Sequence, residues 1–181
     1  VRHPLTEDDV ERLENSARTP KAHRQAAATL TRWAEERHPD DEASPADLLA
    51  AAGWHLAQAG DTEESLALHR RAVTAEGTTT PSARALLHAA LLDAGQHEEA
   101  RQVATDLRRS GPRLVDITHM AETFELHGDL VQAHRWVEMG VSRLELAVDE
   151  DEPAEHDVEG LLSTRRRIRR DLGFPPDELD E

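Results

Sequence analysis

The 181-residue chain has no cysteine and no tyrosine, two phenylalanines, three tryptophans and a single lysine, Lys21. Without cysteine there is no disulfide, no thiolate zinc site and no cysteine nucleophile. With no apolar leader segment either, the expected compartment is the cytoplasm. So few aromatic residues leave a core of Leu, Val and Ala, which suits closely approaching helices rather than a sheet, where aromatic and β-branched residues are favoured. No apolar run approaches the roughly 18 residues that a bilayer span needs. Cations are scarce as well: 37 acidic residues against 21 Lys and Arg leave a net charge of −16. Such a chain repels DNA and acidic membrane surfaces at long range, so neither nucleic acid nor membrane is expected as a partner. The start at Val1 points to a trimmed terminus or to residues upstream, and arginine in place of lysine is compatible with a GC-rich bacterial genome.

Signatures of catalysis are also missing. No glycine-rich phosphate loop follows a strand pattern, no G-x-S-x-G elbow occurs, and no carboxylate pair stands out from a generally acidic surface. The 11 histidines form no H-E-x-x-H motif. His97 opens His-Glu-Glu-Ala-Arg without the second histidine, and His119, His127 and His134 make no i, i+4 pair. Neither enzyme activity nor a metal or cofactor is expected.

What the chain does have is a recurring hinge. Gly60-Asp61, Gly95-Gln96 and Gly128-Asp129 each separate two apolar helical runs, and they lie 35 and 33 residues apart. That spacing brackets the period of about 34 residues of a helix–turn–helix solenoid unit. Before the first hinge, Thr6 with Glu7-Asp8-Asp9 predicts a short helix carrying Val10, Leu13 and Ala17, and Pro20 opens a second with Ala26, Leu30, Trp33 and Ala34 that stops at His38-Pro39. Ser44-Pro45 with Asp47 starts a third, whose Leu49, Ala52, Gly53 and Leu56 share one buried face. Leu66, His69, Ala72 and Val73 follow the hinge. Thr80-Pro81-Ser82 restarts the pattern with Leu87 and Leu91, then Ala100, Val103 and Leu107. The third pair carries Ile117, Met120, Ala121 and Phe124, then Leu130, Ala133, Val137, Val141, Leu144 and Val148, with its second helix running to about Asp149.

An acidic stretch, Asp149 to Glu159, leads to a last amphipathic helix with Val158, Leu161, Leu162, Ile168 and Leu172, closed by Gly173 and followed by an acidic tail expected to be mobile. The predicted organisation is an N-terminal helical pair over 1–43, three repeats over 44–148 (about 46–79, 81–113 and 114–148), a linker and capping helix over 149–173, and the tail 174–181.

In these residues the chain resembles the tetratricopeptide repeat family, whose units carry a small residue where the paired helices touch, a Gly-Asp-like turn and further small residues in the second helix. Gly53, Gly60-Asp61 and Ala72 fit a first unit; Gly95, Ala100 and Pro112 a second; Ala121, Gly128-Asp129, Ala133 and Gly140 a third. Ala27, Ala34 and Pro39 resemble a degenerate half-unit ahead of them. The aromatic wedges of the family are replaced by Leu49, Leu56, Arg84 and Leu91, His88 stands where Gly or Ala is usual, and Ser65 replaces Ala. The resemblance implies an all-α, right-handed superhelical solenoid with N-terminal helices and a C-terminal capping helix. The ending from Arg165 to Glu178 is also similar to the tail of bacterial repeat proteins that sometimes carry the cysteine-rich zinc motif SEC-C, but that motif needs cysteines and is absent.

The family uses the first helices of its units to line a concave groove. Here that stripe comprises Ala50, Trp54, Ala57 and Gln58, then Ala85, Ala89, Leu92 and Asp93, then Thr118, Glu122, Glu125 and Leu126. None is cationic, so the carboxylate clamp found in some members is missing. The implied activity is non-catalytic binding of a protein or peptide that presents basic and apolar groups together. Trp54 is the main contact candidate, the alternative being that it packs on a neighbouring helix. Glu122 and Glu125 are either a cation site or solvated surface acids. The run from Arg165 to Arg170 is expected to pair with the acids Asp149 to Glu159 rather than to bind phosphate. Self-association through an edge helix and a ligand-sensing or accessory role to an enzyme are the alternatives.

Overall fold

A computed structural model of the chain describes residues 3–146 and 154–180, and every regular element among them is helical. The chain forms two compact units, Val1–Arg101 and Gln102–Glu181. The first holds α1 (Glu7–Ser16), α2 (Pro20–Glu36), α3 (Pro45–Ala59), α4 (Thr62–Thr74), α5 (Ala83–Asp93) and the start of α6 (His97–Arg109). The second holds the rest of α6, then α7 (Leu114–Leu126), α8 (Leu130–Leu146), α9 (Glu155–Asp171) and a 3-10 turn, Glu178–Asp180. The division falls inside α6 and so within the second predicted repeat.

Helix starts follow the local chemistry of the chain. Thr6 Oγ1 accepts from the Asp9 amide at 3.3 Å while the Asp9 carboxylate accepts from the Thr6 amide at 3.2 Å, a reciprocal cap that Ser44 and Asp47 repeat at the head of α3. Pro20 and Pro45 take first-turn positions, where a missing N–H costs nothing. At α5 the cap is Ser82, and Pro81 lies ahead of it.

All three predicted hinges make the same turn. Gly60, Gly95 and Gly128 have φ of 84°, 71° and 78°, the left-handed region that only glycine enters without strain. Each glycine donates its amide to the carbonyl three residues back: Ala57, Leu92 and Glu125. The next residue reaches five back: Asp61 to Leu56, Gln96 to Leu91 and Asp129 to Phe124, at 2.8–2.9 Å. This pair of bonds is the Schellman motif, which satisfies carbonyls that the helix end would otherwise strand. The same second residue then accepts the first bond of the following helix, from Ser65, Ala100 and Ala133, each at 3.0 Å. The turn recurs a fourth time at Gly173, where Phe174 donates to Arg169 at 2.9 Å.

In the first unit the core is aliphatic and small: Leu5, Ala27, Leu30, Ala34, Leu48, Leu49, Ala52, Leu68 and Ala72 are buried together. Gly53 permits close approach of α3 and α4, because a Cβ there would stand 2.9 Å from the His69 ring. Ser65 Oγ donates to the Gly53 carbonyl at 2.7 Å across the same contact. In the second unit Ile117, Met120, Ala121, Trp136, Val137, Leu161 and Ile168 are buried. Gly140 serves there as Gly53 does in the first unit, a Cβ meeting Leu161 at 2.7 Å.

The expected run of α8 to Val148 and Asp149 lies outside the described residues, as does most of the predicted acidic linker. Glu155 and Asp157 form the first turn of α9 rather than linker, where their charge suits the positive end of the helix dipole.

Candidate interaction surface

Trp54 lies on the face of α3 opposite Leu49, Ala52 and Leu56, and the indole is 50% exposed. It is not free to swing. His23 of α2 meets it edge-on with ring centroids 5.8 Å apart, and His55 meets it edge-on at 4.9 Å. The two imidazoles are joined in turn by a hydrogen bond, Nδ1 to Nδ1, of 2.8 Å. His55 is fully buried, and its Nε2 has no hydrogen-bond partner. Burial holds the His55 imidazole below its ordinary range, with the adjacent His23 as a second cause. This three-ring cluster was not legible in the sequence, because it joins positions 32 residues apart.

Of the other predicted contacts in the first unit, Ala57 and Gln58 are exposed beside Trp54, Ala89 is half-buried and Asp93 is exposed on α5, which packs against α3. Ala50 and Ala85 are buried, which removes them from any surface. The hinge residue Asp61 acts beyond its turn: Arg24 Nε and Nη2 reach its carboxylate at 2.5 and 2.7 Å, and this pairing pulls its carboxyl below the usual range. The Asp129 carboxylate instead caps α8, accepting from the Gln132 amide at 3.0 Å.

The second unit requires a correction. Glu122 and Glu125 do not form an open cation site, because α9 lies against α7 and supplies the cation itself. Arg167 grips the Glu125 carboxylate through Nε and Nη2, both at 2.8 Å, and stands 3.8 Å from Glu122, which also accepts from the Thr164 hydroxyl at 3.1 Å. Thr118 is half-buried with its hydroxyl oxygen enclosed and unbonded. Leu126 is left exposed.

The arginine run also finds other partners than expected. Arg165, only 4% exposed, donates Nε to Glu138 at 2.8 Å and forks onto Asp177 at 3.0 and 2.6 Å. Arg169 adds a contact to Asp177 at 3.1 Å, and the Asp177 carboxyl is lowered to about 2 by the Arg165 hydrogen bonds first of all. The tail, expected to be mobile, is therefore tied back at Asp177. Phe174 stacks near His134 at 5.1 Å and under the Arg169 guanidinium at 5.5 Å. Of the acids expected to balance the run, Asp149 to Glu152 lie outside the described residues.

Among the described residues no three His, Asp or Glu side chains converge as a metal site, and no helix is long and apolar enough to cross a membrane. Comparison with protein-family models, with curated proteins and with solved structures gives no match.

Proposed function

We propose that the chain is a non-catalytic binding module built of tetratricopeptide-type helix pairs, working in the cytoplasm, which docks a protein or peptide segment on the Trp54 face of its first unit. One observation carries the reading: a half-exposed indole held edge-on by two imidazoles. A large apolar contact whose rotamer is already fixed loses little entropy on binding, and tryptophan is enriched among the residues that dominate interface energy. Threefold recurrence of one hinge geometry supports the repeat assignment. The net charge of −16 favours a partner with basic groups beside its apolar anchor, through long-range steering rather than through Glu122 and Glu125.

Affinity capture from the native lysate with wild-type and Trp54→Ala baits tests this. The partner should be lost from the variant, or dissociate from it at least about tenfold faster, while the far-ultraviolet circular dichroism stays unchanged. A folded Trp54→Ala that retains every captured protein at full yield ends the proposal.

A further inference from the structure

We propose that the His23–His55 couple is a proton-operated latch on the Trp54 face, closed while one ring keeps a bare Nδ1 and released when both rings are protonated. An Nδ1-to-Nδ1 bond of 2.8 Å needs one donor and one acceptor. A neutral pair meets this requirement. So does the singly protonated pair in which His23, on the half-exposed side, donates as imidazolium to neutral His55. A second proton fills all four ring nitrogens. No lone pair is then left between the rings, and two like charges face one another at hydrogen-bond distance, so the rings must separate. Trp54 rests edge-on against both and must move with them.

No acid among the described residues is bonded to either ring to offset that second charge; on α1, which packs against α2, Asp9 pairs with Arg12, Glu7, Asp8 and Glu11 are exposed and Glu14 is half-buried. Three helices pack against α3. On α2, Lys21 is exposed and Arg24 is engaged by Asp61 and the Ala59 carbonyl. On α4, His69 lies over Gly53, Arg70 pairs with Glu99, Arg71 pairs with Glu35, and Glu63 and Glu64 are exposed. On α5, His88 is buried while Arg84 and Asp93 are exposed. Among the described residues, no carboxylate is hydrogen-bonded or ion-paired to His23 or His55. The bearing of the latch on docking rests on the reading of Trp54 as a contact surface; the latch itself needs no partner.

Fluorine NMR of the full chain labelled with 5-fluorotryptophan, with the Trp54 resonance assigned through Trp54→Phe, measures the release directly. Imidazole nitrogen spectra recorded on the same samples from pH 7.5 to 5.0 report the two protonations. The Trp54 resonance should shift with the second proton, at a midpoint below the ordinary imidazole value of about 6.5. His23→Gln should abolish that shift, because its amide can donate to neutral His55 and its carbonyl can accept from the protonated form. A Trp54 resonance that stays put while both rings titrate overturns the latch, as does a folded His23→Gln that shifts like the wild type. A pair that takes no second proton before the chain unfolds overturns it too. If His23→Gln does not fold, the wild-type titration alone decides. Loss of the latch with Trp54-dependent capture intact removes only the latch, and the converse result removes only the docking surface.

Discussion

The two units bury different kinds of polar group. The first encloses imidazoles, His55, His69 and His88, and burial favours the neutral form of the first two. The second encloses a guanidinium, Arg165, satisfied by Glu138 and Asp177, and its interior is built for a permanent charge. Burial without a counter-charge pushes the His55 and His69 imidazoles below their ordinary range. In the second unit His119 is held low by burial too, but Glu122 and Asp116 pull in the opposite direction. One fold principle, paired helices joined by a glycine turn, therefore supports two interiors that acid weakens in different pH ranges. Helix packing constrains volume and shape; the charge state of the interior is set separately.

The most disruptive way to break this comparison is at the helix contact of the first unit. Gly53→Leu would drive a side chain into the His69 ring, which already stands 2.9 Å from a Cβ at that position. The expected cost is about 3 kcal/mol, read as a loss of roughly two orders of magnitude in amide hydrogen-exchange protection across α3 and α4. Unchanged protection would take Gly53 out of the contact.

In the second unit Arg165→Met keeps the aliphatic stem and removes the charge. Glu138 and Asp177 are each 38% exposed and can rehydrate, so the cost is expected near 2 kcal/mol rather than the 3–5 kcal/mol or so of a fully buried broken pair. Denaturant midpoints measure it, and protease cleavage in the released tail should accelerate. A variant as stable as the wild type would show that the buried fork contributes only geometry.

Acid should separate the units without any substitution. His55 and His69 bind protons less readily folded than unfolded, so their contribution is complete above about pH 6.5 and declines below it, by at most about 1.4 kcal/mol each at pH 5.5. Asp177 has the same sign but a lower window: its folded value of about 2 lies below the ordinary carboxylate value of 3.8, so its contribution is lost only as pH falls between those two values. Moving from pH 7.5 to 5.5, hydrogen-exchange protection factors, corrected for the intrinsic rate at each pH, should fall in α2 to α4 more than in α9. Equal weakening in α9 would contradict the contrast.

The smallest effect is one that the units should share. Gly60→Ala and Gly128→Ala meet no neighbouring atom within 4 Å, so only the positive φ opposes them. Each should cost about 1 kcal/mol in thermal unfolding. Clearly different costs would mean that the hinges are not equivalent.

The parts legible in the sequence are those decided within a few residues. Capping pairs three positions apart, a proline in the first turn and a glycine at a left-handed turn each need only local partners, which is why Thr6, Ser44, Pro45 and the three hinges read correctly. Gly53 and Gly140 were legible as small positions, though not what fills the space opposite. Ion pairs and ring clusters between distant positions leave no such trace. Arg167 and Glu125 lie 42 residues apart, and His23 and His55 lie 32 apart. Arginine beside an acidic stretch suggested pairing along the chain; packing of α9 on α7 and α8 turned those guanidinia toward Glu125 and Glu138 instead.

The turn at Gly173 has a consequence for how such a chain is assembled. It is the same reversal that elsewhere launches a new helix from Asp61, Gln96 or Asp129, yet here it is followed by Phe174-Pro175-Pro176. A proline disfavours the helical conformation in the residue before it, so Pro176 holds Pro175 extended, and the strand of chain returns Asp177 to Arg165 instead of coiling again. Punctuation of this kind separates the geometry of the turn from the number of helices it joins. The reversal says that a helix has ended, and the two residues after Phe174 say that no further one begins there.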